Sequence, residues 1–384
     1  MEYDPYSPEY RLDPYRIYRW LRDEQPVYYN ERRDLYALSR FPDVIGALHD
    51  NDRFLSGMGI ALVGTSGSPH PNIIIMDNPR HDELRKLAAR LFTARAIAAF
   101  EPTVRTFVRE LIDGFIDRGR VELVHELTVP LPILVMSELL GVDPADRDHF
   151  VEWSDAMLRQ HPDKPETIVA GRAGGQAIGH YFAEVIAQRR REPTDDFVSV
   201  MLANGSITDE EIIGYCFLFI VAGIETTTNL LGNGVMALDA HPDQRAEIAA
   251  DLTLLPNAIE EMLRYEGPVQ GLARTTARDV ELHGVTIPEG SRVQILYGSA
   301  NRDEREYVEP DRFDIHRSIR RHVGFGHGIH FCLGAYLARL EARVAFEALL
   351  TRLPEWTITD EVVERVPAGN VRGPMALNLD FVRA

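Results

Sequence analysis

The residues best suited to chemistry lie near the C-terminus, where segment 324–335 reads Gly-Phe-Gly-His-Gly-Ile-His-Phe-Cys-Leu-Gly-Ala. Cys332 is one of only two cysteines in the chain. An amphipathic helix is predicted directly after it, because apolar residues recur every three or four positions over 333–344. The free N–H groups and the dipole at the start of a helix favour a thiolate. The glycines allow the backbone to turn sharply and to lie close to a large planar group.

A thiolate held beside a planar macrocycle is the iron ligand of haem-thiolate proteins. Segment 325–334 has the pattern F-G-x-G-x-H-x-C-x-G and resembles the haem-binding signature of the cytochrome P450 monooxygenases at every fixed position. This match outweighs the simpler interpretation of a structural cysteine beside a glycine turn. A zinc site of His327, His330 and Cys332 lacks a fourth ligand at standard spacing. A c-type haem is excluded, since no Cys-x-x-Cys-His motif is present.

The resemblance implies haem b as the cofactor, with Cys332 as the axial ligand of the iron and with Phe325 and His330 as further cofactor-binding residues. Matching family positions give four groups for the haem propionates. They are His330, then His81 and Arg85, four residues apart on one helical face, and Arg274 at the start of a strand. Arginine suits a carboxylate because its planar fork carries a permanent charge.

A second chemically unusual stretch lies in a long predicted helix, which starts at the capping box 208–211 and can run to the stop at His241-Pro242. At 1.5 Å per residue it would be roughly 50 Å long. Its centre, residues 217–222, is apolar on every face and should be buried. Gly223 and Glu225 follow, together with three threonines, although a buried carboxylate is costly unless it is paired or protonated. Broken local rules of this kind indicate function.

Segment 222–227, Ala-Gly-Ile-Glu-Thr-Thr, is similar to the oxygen-activation motif of the same family. The resemblance makes Glu225 and Thr226 the catalytic residues that deliver protons, while Gly223 opens a groove in the helix. The Thr226 hydroxyl is expected to donate to the carbonyl of residue 222 and to loosen the helix there. Taken alone, these residues would equally fit a helix kink whose acid pairs with a nearby base.

Glu261 and Arg264 match the family's Glu-x-x-Arg pair and share one helical face. As a bare pattern the pair is weak, since such ion pairs stabilise a helix by only about half a kcal/mol. Beside the other motifs, it predicts a buried structural network, completed by Arg312, that holds the loop carrying Cys332.

The expected substrate pocket is mainly apolar, which indicates a hydrophobic small molecule without defining its shape. The expected lining residues are Phe219, Ala222, Gly223, Thr227, Val269, Gln270, Gly271 and Leu272, with part of the glycine-rich loop 56–71. In the family this loop covers the pocket. Cys216 is expected to be a packed core thiol with no catalytic role.

Net charge and cysteine content indicate the cellular compartment and the classes of partner. The chain has 384 residues and a net charge of -18, which disfavours nucleic acids and anionic membrane surfaces as partners. Two distant cysteines fit a reducing cytoplasm, and the sequence predicts neither a signal peptide nor a membrane span. We expect a cytoplasmic monomer with one domain over 1–384.

The expected fold is mainly α with a smaller β region, roughly at 26–40 and 273–297. The resemblance implies the cytochrome P450 fold, in which the haem lies between the long distal helix and the proximal helix that follows the cysteine loop. Six cations flank the thiolate side in the family arrangement. They are Lys86, Arg90, Arg320, Arg321, Arg339 and Arg343. Singly they are typical of solvated helix faces, but together they would steer an acidic electron carrier.

The implied reaction inserts one oxygen atom from O2 into a C–H or C=C bond. Electrons would come from NAD(P)H through a separate ferredoxin and its reductase. A peroxide-dependent haem-thiolate enzyme is the first alternative, although such relatives usually lack the acid–alcohol pair. A coupling or ring-forming oxidation stays open, and a non-catalytic haem sensor is a more distant alternative.

Overall fold

The computed structural model describes residues 1–62, 70–158 and 160–384. The α-helices are α1 (Pro8–Leu12), α2 (Pro14–Glu24), α3 (Phe41–His49), α4 (Arg80–Ala89), α5 (Ala94–Ala99), α6 (Glu101–Asp113), α7 (Pro130–Leu140), α8 (Arg147–Leu158), α9 (Pro165–Arg191), α10 (Phe197–Leu202), α11 (Asp209–Ala240), α12 (Pro242–Ala250), α13 (Leu255–Tyr265), α14 (Tyr297–Ala300) and α15 (Ala335–Arg352). The strands are β1 (Val27–Asn30), β2 (Leu35–Leu38), β3 (Phe54–Leu55), β4 (Arg120–Glu122), β5 (Leu272–Thr276), β6 (Val280–Leu282), β7 (Val285–Ile287), β8 (Arg292–Ile295), β9 (Glu355–Ile358) and β10 (Asn378–Val382).

Helix α11 forms the centre of the helical part. The Thr208 hydroxyl accepts from the Glu211 N–H at 3.2 Å, and the Glu211 carboxylate accepts from the Thr208 N–H at 2.9 Å, so the predicted capping box is confirmed. The helix packs against α7, α9 and α15. It is long and apolar enough to cross a membrane, but more than half of its most apolar stretch is buried inside the protein. Those properties therefore fit a core helix.

The β portion lies beside the helices. Its main sheet has the order β1-β2-β8-β5-β3, with β2 and β8 parallel and the other neighbours antiparallel. The strands β4, β10 and β9 form a second antiparallel sheet, and β6 and β7 form a hairpin. The prediction of a mainly α protein with a smaller β region is confirmed.

Candidate functional site

The cysteine loop reaches α15 through tight turns. Helix α15 begins at Ala335, three residues after Cys332, so the helix starts later than the sequence predicts. Gly326 and Gly328 have φ angles of 67° and 70°, which glycine adopts without strain. A Cβ atom on Gly328 would lie 2.2 Å from the Leu48 carbonyl oxygen. This glycine therefore allows the loop to pack against the end of α3.

The Cys332 thiol is held at the end of this loop. Its own N–H donates to the Phe325 carbonyl at 2.9 Å, which fixes the backbone on both sides of the turn. Burial raises the pKa of the thiol, while the Gly334 N–H and the charges of Arg85 and Arg339 lower it, and the net direction is upwards. Burial therefore opposes the thiolate that the sequence predicts, and the neighbouring N–H and cations favour it. A bound metal ion would itself deprotonate the sulfur.

Two histidines meet at one edge of the loop. The ring centres of His81 and His330 lie 4.4 Å apart. Both Nε2 atoms are buried, and neither has a hydrogen-bond partner within the described residues. Buried nitrogens without a partner are uncommon in proteins and call for a bound group.

Two arginines reach the same region. The Arg85 guanidinium donates to the Phe331 carbonyl, next to Cys332 in the chain. Arg274 is only 3% exposed and donates to the Ala273 carbonyl at 2.8 Å. Neither arginine has a carboxylate partner in the parts of the chain that the structure describes.

The electrostatics of this edge favour an anion. Burial, with the positive charges of Arg274, His81 and Arg85, lowers the pKa of His330 to about 2. A buried positive charge is costly unless an anion compensates it. The donor set therefore fits the two propionates of a haem b, and the four predicted propionate partners, His81, Arg85, Arg274 and His330, lie close to one another.

The distal motif lies in the middle of α11. The Thr226 hydroxyl donates to the Ala222 carbonyl at 2.6 Å, which confirms the predicted hydrogen bond, and the helix continues without a break. Ala222 is exposed although it lies at the helix centre, and Glu225 is half-buried. An exposed alanine in a core helix indicates that this turn faces open space.

The glycine of this motif lies against α7. A Cβ atom on Gly223 would lie 2.6 Å from the sulfur of Met136 in α7. Close packing with the Met136 side chain is thus a second reason for glycine here, and the groove for oxygen stays a prediction.

The structure changes the expected lining of the pocket. Ala222, Gly223, Val269 and Leu272 keep accessible surface. Three other predicted lining residues, Phe219, Thr227 and Gln270, are buried among protein atoms. Gly271 is also buried, and residues 63–69 of the predicted pocket loop lie outside the described residues.

Two of these corrections have clear causes. The Phe219 ring packs 4.9 Å from Phe197 and 5.1 Å from Phe92, so it belongs to an aromatic core cluster. The Gln270 amide accepts from the Tyr18 hydroxyl at 3.1 Å and donates to the Gly267 carbonyl at 2.8 Å. Its polar atoms therefore hold the protein together and are not available to a ligand. Cys216 is buried, as expected for a core thiol.

The Glu-x-x-Arg pair forms a buried network. Arg264 donates to both carboxylate oxygens of Glu261 at 2.7 Å, and Arg317 donates to Glu261 at 3.1 Å. The prediction for Arg312 is wrong, because its guanidinium is exposed and lies 3.6 Å from Glu309. Only the Arg312 backbone carbonyl takes part, by accepting from Arg264 at 3.2 Å. Arg317 is the third charged member.

This network continues to the cysteine loop. Arg264 donates to the Asn301 carbonyl at 2.9 Å, and the Asn301 side-chain oxygen accepts from the Val323 N–H at 2.8 Å. Sequence reasoning missed Arg317 and Asn301. Arg317 lies in an irregular segment, where no periodicity indicates which side chain points inward, and Asn301 follows α14 at a turn.

The predicted basic surface is partly neutralised. Three of its six cations form ion pairs with glutamates of this chain. The pairs are Arg339–Glu260, Arg343–Glu101 and Arg321–Glu306. Lys86, Arg90 and Arg320 are exposed and have no ion pair among the described residues.

Comparison with known proteins agrees with this geometry. The family model described as Cytochrome P450 matches residues 168–367. The chain is 38% identical to the cyclomarin C epoxidase CymV of Salinispora arenicola over 98% of both chains. It is also 38% identical to cytochrome P450 130 of Mycobacterium tuberculosis, over 95% of this chain and 94% of that protein. The crystal structure of CYP109E1 from Bacillus megaterium in complex with testosterone superimposes with a TM-score of 0.92 at 32% identity, covering 97% of this chain and 99% of the other.

Proposed function

The chain belongs to the cytochrome P450 family of haem b-dependent monooxygenases, and we propose that it inserts one oxygen atom from O2 into a hydrophobic small molecule by hydroxylation or epoxidation. The observation that carries this proposal is the meeting at one site of a loop thiol, two unpartnered histidine nitrogens, the buried Arg274 and the half-buried Arg85. The cytochrome P450 fold and a cofactor of haem b follow from the family.

Each of these residues has a distinct task in holding the cofactor. Cys332 would ligate the iron, and its loop would orient the sulfur. His330 and His81 would donate to the propionates from their unpartnered nitrogens, while Arg85 and Arg274 would neutralise the propionate charge. When bound, the haem supplies the redox chemistry of oxygen activation. Phe325, whose carbonyl accepts from the Cys332 N–H, would be a further cofactor-binding residue.

Proton control belongs to the distal helix. We assign Glu225 and Thr226 to moving protons from solvent to the oxygen site. Thr226 holds its hydroxyl hydrogen on the Ala222 carbonyl at 2.6 Å, so the hydroxyl oxygen is free to accept from a neighbouring donor. Glu225 is half-buried, which allows its carboxyl to reach water on one side. Such a pair delivers protons without opening the site to bulk water.

A hydrophobic substrate fits the corrected lining. Ala222, Gly223, Val269 and Leu272 offer apolar surface, and the predicted amide of Gln270 is engaged elsewhere. The relative CymV is named as an epoxidase of cyclomarin C, and CYP109E1 has been crystallised with testosterone. Testosterone is a hydrophobic molecule, and its binding to CYP109E1 supports this class of substrate.

A separate ferredoxin-type protein is the proposed electron donor, with NAD(P)H as the distant source. Lys86, Arg90 and Arg320 are the cations that remain available to an acidic partner on the cysteine side. We further propose a cytoplasmic monomer with one domain over 1–384 and with no nucleic-acid or membrane partner, which fits the net charge of -18.

Two measurements test the proposal. Protein reduced with dithionite and saturated with carbon monoxide should show a Soret band displaced far to long wavelength, and Cys332→Ala should abolish it. Substrate found by spin-shift screening should then gain one atom of ¹⁸O from ¹⁸O2 in the presence of ferredoxin, reductase and NAD(P)H. An ordinary haem–CO spectrum would contradict the thiolate assignment. Product formed only with peroxide would identify the peroxide-dependent alternative instead.

A further inference from the structure

Arg339 faces the cysteine loop. Its guanidinium carbon lies 4.5 Å from the centre of the Phe325 ring, and the Phe325 carbonyl accepts from the Cys332 N–H at 2.9 Å. A guanidinium over an aromatic face is attracted to it. Arg339 therefore contacts Phe325, and the backbone of Phe325 is hydrogen-bonded to that of Cys332.

The same guanidinium is fixed from the other side by Glu260 of α13. Arg339 donates to the two carboxylate oxygens at 2.6 Å and 2.8 Å. This bidentate geometry is the strongest form of an arginine–carboxylate pair. Glu260 directly precedes Glu261, so two consecutive glutamates of α13 support the cysteine loop by different routes.

Glu260 also binds His322, and this contact links α13 to the cysteine loop. The His322 Nε2 lies 3.0 Å from the carboxylate, and its Nδ1 accepts from the Gly324 N–H at 3.0 Å. Because Nδ1 accepts, Nε2 carries the hydrogen that Glu260 receives. His322 is only 8% exposed. A continuous chain of hydrogen bonds thus runs from α15 through α13 to the first residues of the loop.

The charges of Glu260 and Arg339 affect the Cys332 thiol. Burial raises the pKa of Glu260, but the hydrogen bonds from Arg339 and His322 outweigh it and lower that pKa to about 2. The pair therefore stays ionised throughout the physiological range. The positive charge of Arg339 in turn lowers the pKa of Cys332, opposing the effect of burial.

We propose that Arg339, Glu260 and His322, here called the proximal clamp, are positioning residues that fix the Cys332 loop and stabilise the iron-bound thiolate. The inference rests on the proposed function, because it concerns the same haem site. It assigns Arg339 a task inside the protein in place of the predicted task of binding a redox partner. The clamp acts on the sulfur through Phe325 and Gly324 and does not touch substrate.

The chain provides a matched control for this proposal. Arg343 follows Arg339 by one turn of α15, pairs with Glu101 at 2.5 Å and has nearly the same exposure, 32% against 34%. Arg343 makes no contact with Phe325 among the described residues. Arg339→Gln and Arg343→Gln therefore remove the same charge from the same helix, and only the first opens the clamp.

The experiment uses the full-length, haem-loaded protein without turnover. Each variant is reduced, saturated with carbon monoxide and followed until the long-wavelength band converts to that of ordinary haem–CO. Arg339→Gln should convert about ten-fold faster than wild type, as expected for loss of a hydrogen bond between charged groups. Its reduction potential should become more negative, since a nearby positive charge favours the added electron. Arg343→Gln should match the wild type in both measurements.

A second pair of variants keeps the test decisive if Arg339→Gln fails to retain haem. His322→Gln keeps one donor and one acceptor, whereas His322→Leu keeps neither. Conversion should be near wild type in the first and about ten-fold faster in the second. Equal behaviour of Arg339→Gln and Arg343→Gln, or of the two His322 variants, would overturn the clamp. A wild type without the long-wavelength band would instead refute the proposed function.

Discussion

The cysteine side and the substrate side of the candidate site are held by different kinds of contact. On the cysteine side, the side chains of Glu261 and Arg264 have no exposed surface, and Arg317 is only 11% exposed. On the substrate side, the pair α8 and α9 packs on α11, and Gly179 of α9 lies against His70 of the predicted pocket loop. Asp163, just before α9, contacts the turn between β1 and β2. Asp163 is 47% exposed and accepts from Arg32 and Arg33 at 3.1 Å.

The difference concerns how firmly each side is fixed. Removing one member of a buried charged network leaves its partner buried without compensation, which costs about 3–5 kcal/mol. An exposed ion pair contributes about 0–1 kcal/mol and can break and reform. The cysteine loop is therefore held in one geometry, while the α8–α9 pair is tied to the β1–β2 turn by a contact that can break and reform. This division suits an enzyme whose sulfur must stay ligated while substrates of some size enter and leave.

The largest effect is expected for Glu261→Ala. The variant leaves Arg264 fully buried without its carboxylate, so the free energy of unfolding should fall by about 3–5 kcal/mol, and haem should be lost. Urea unfolding and the haem-to-protein ratio measure both effects. Arg312→Ala is the matched control, because that side chain is 63% exposed, and it should cost less than about 1 kcal/mol. A large effect of Arg312→Ala would restore the sequence-based assignment of Arg312.

A smaller effect on the same side should appear as a pH dependence. The pKa of Glu260 falls from 4.5 to about 2 on folding. A carboxyl whose pKa is lowered by folding stabilises the protein above its ordinary pKa, and this contribution disappears as the pH falls from 4.5 towards 2. At neutral pH the shift corresponds to about 3 kcal/mol.

Glu260→Gln isolates this contribution. The difference in unfolding free energy between wild type and variant should be greatest at neutral pH and should shrink as the solution is acidified. Glu309→Gln, at a side chain that is 68% exposed, should give a profile parallel to that of the wild type. A constant difference between wild type and Glu260→Gln at all pH values would contradict an ionised clamp.

Regular helices could be predicted from the sequence, whereas irregular segments and pocket walls could not. The capping box, the long α11 and the bond from Thr226 to the Ala222 carbonyl follow from local rules, and the structure confirms them. The choice of Arg312 as the third arginine of the network was wrong because Arg312 and Arg317 lie in irregular segments. There, residue spacing does not indicate which side chain points inward. The assignment of Phe219 and Gln270 to the pocket lining was wrong because a pocket wall and a protein core have similar residue compositions.

The next prediction concerns the chemistry on α11. Thr226→Ala removes the hydroxyl assigned to proton delivery, so product formed per NAD(P)H should fall about ten-fold, with hydrogen peroxide in its place. Haem content and the reduced carbon monoxide spectrum should not change. Thr228→Ala is the control, since its hydroxyl donates to the Thr128 carbonyl at 2.9 Å and faces another helix. It should lower stability and leave the yield per NAD(P)H intact. Unchanged coupling in Thr226→Ala would refute the assignment.

The smallest effect is expected at the edge of the substrate side. Asp163, which lies just before α9, is held by Arg32 and Arg33 of the β1–β2 turn. Asp163→Asn should release an iron-binding probe such as phenylimidazole about two-fold faster, as expected for one exposed ion pair. High salt should raise the wild-type rate to that of the variant, because screening weakens exposed pairs.

The control for this prediction is Asp195→Asn, an exposed acid that has no ion pair among the described residues. Its release rate should match that of the wild type at every salt concentration. A wild-type release rate that does not change with salt concentration would mean that the connector between α8 and α9 is held by buried contacts, as the cysteine loop is. The proposed contrast between a fixed ligand side and an adjustable substrate side would then fail. Salt sensitivity confined to Asp163 would place the adjustable part of the molecule at the contact between α9 and the β1–β2 turn.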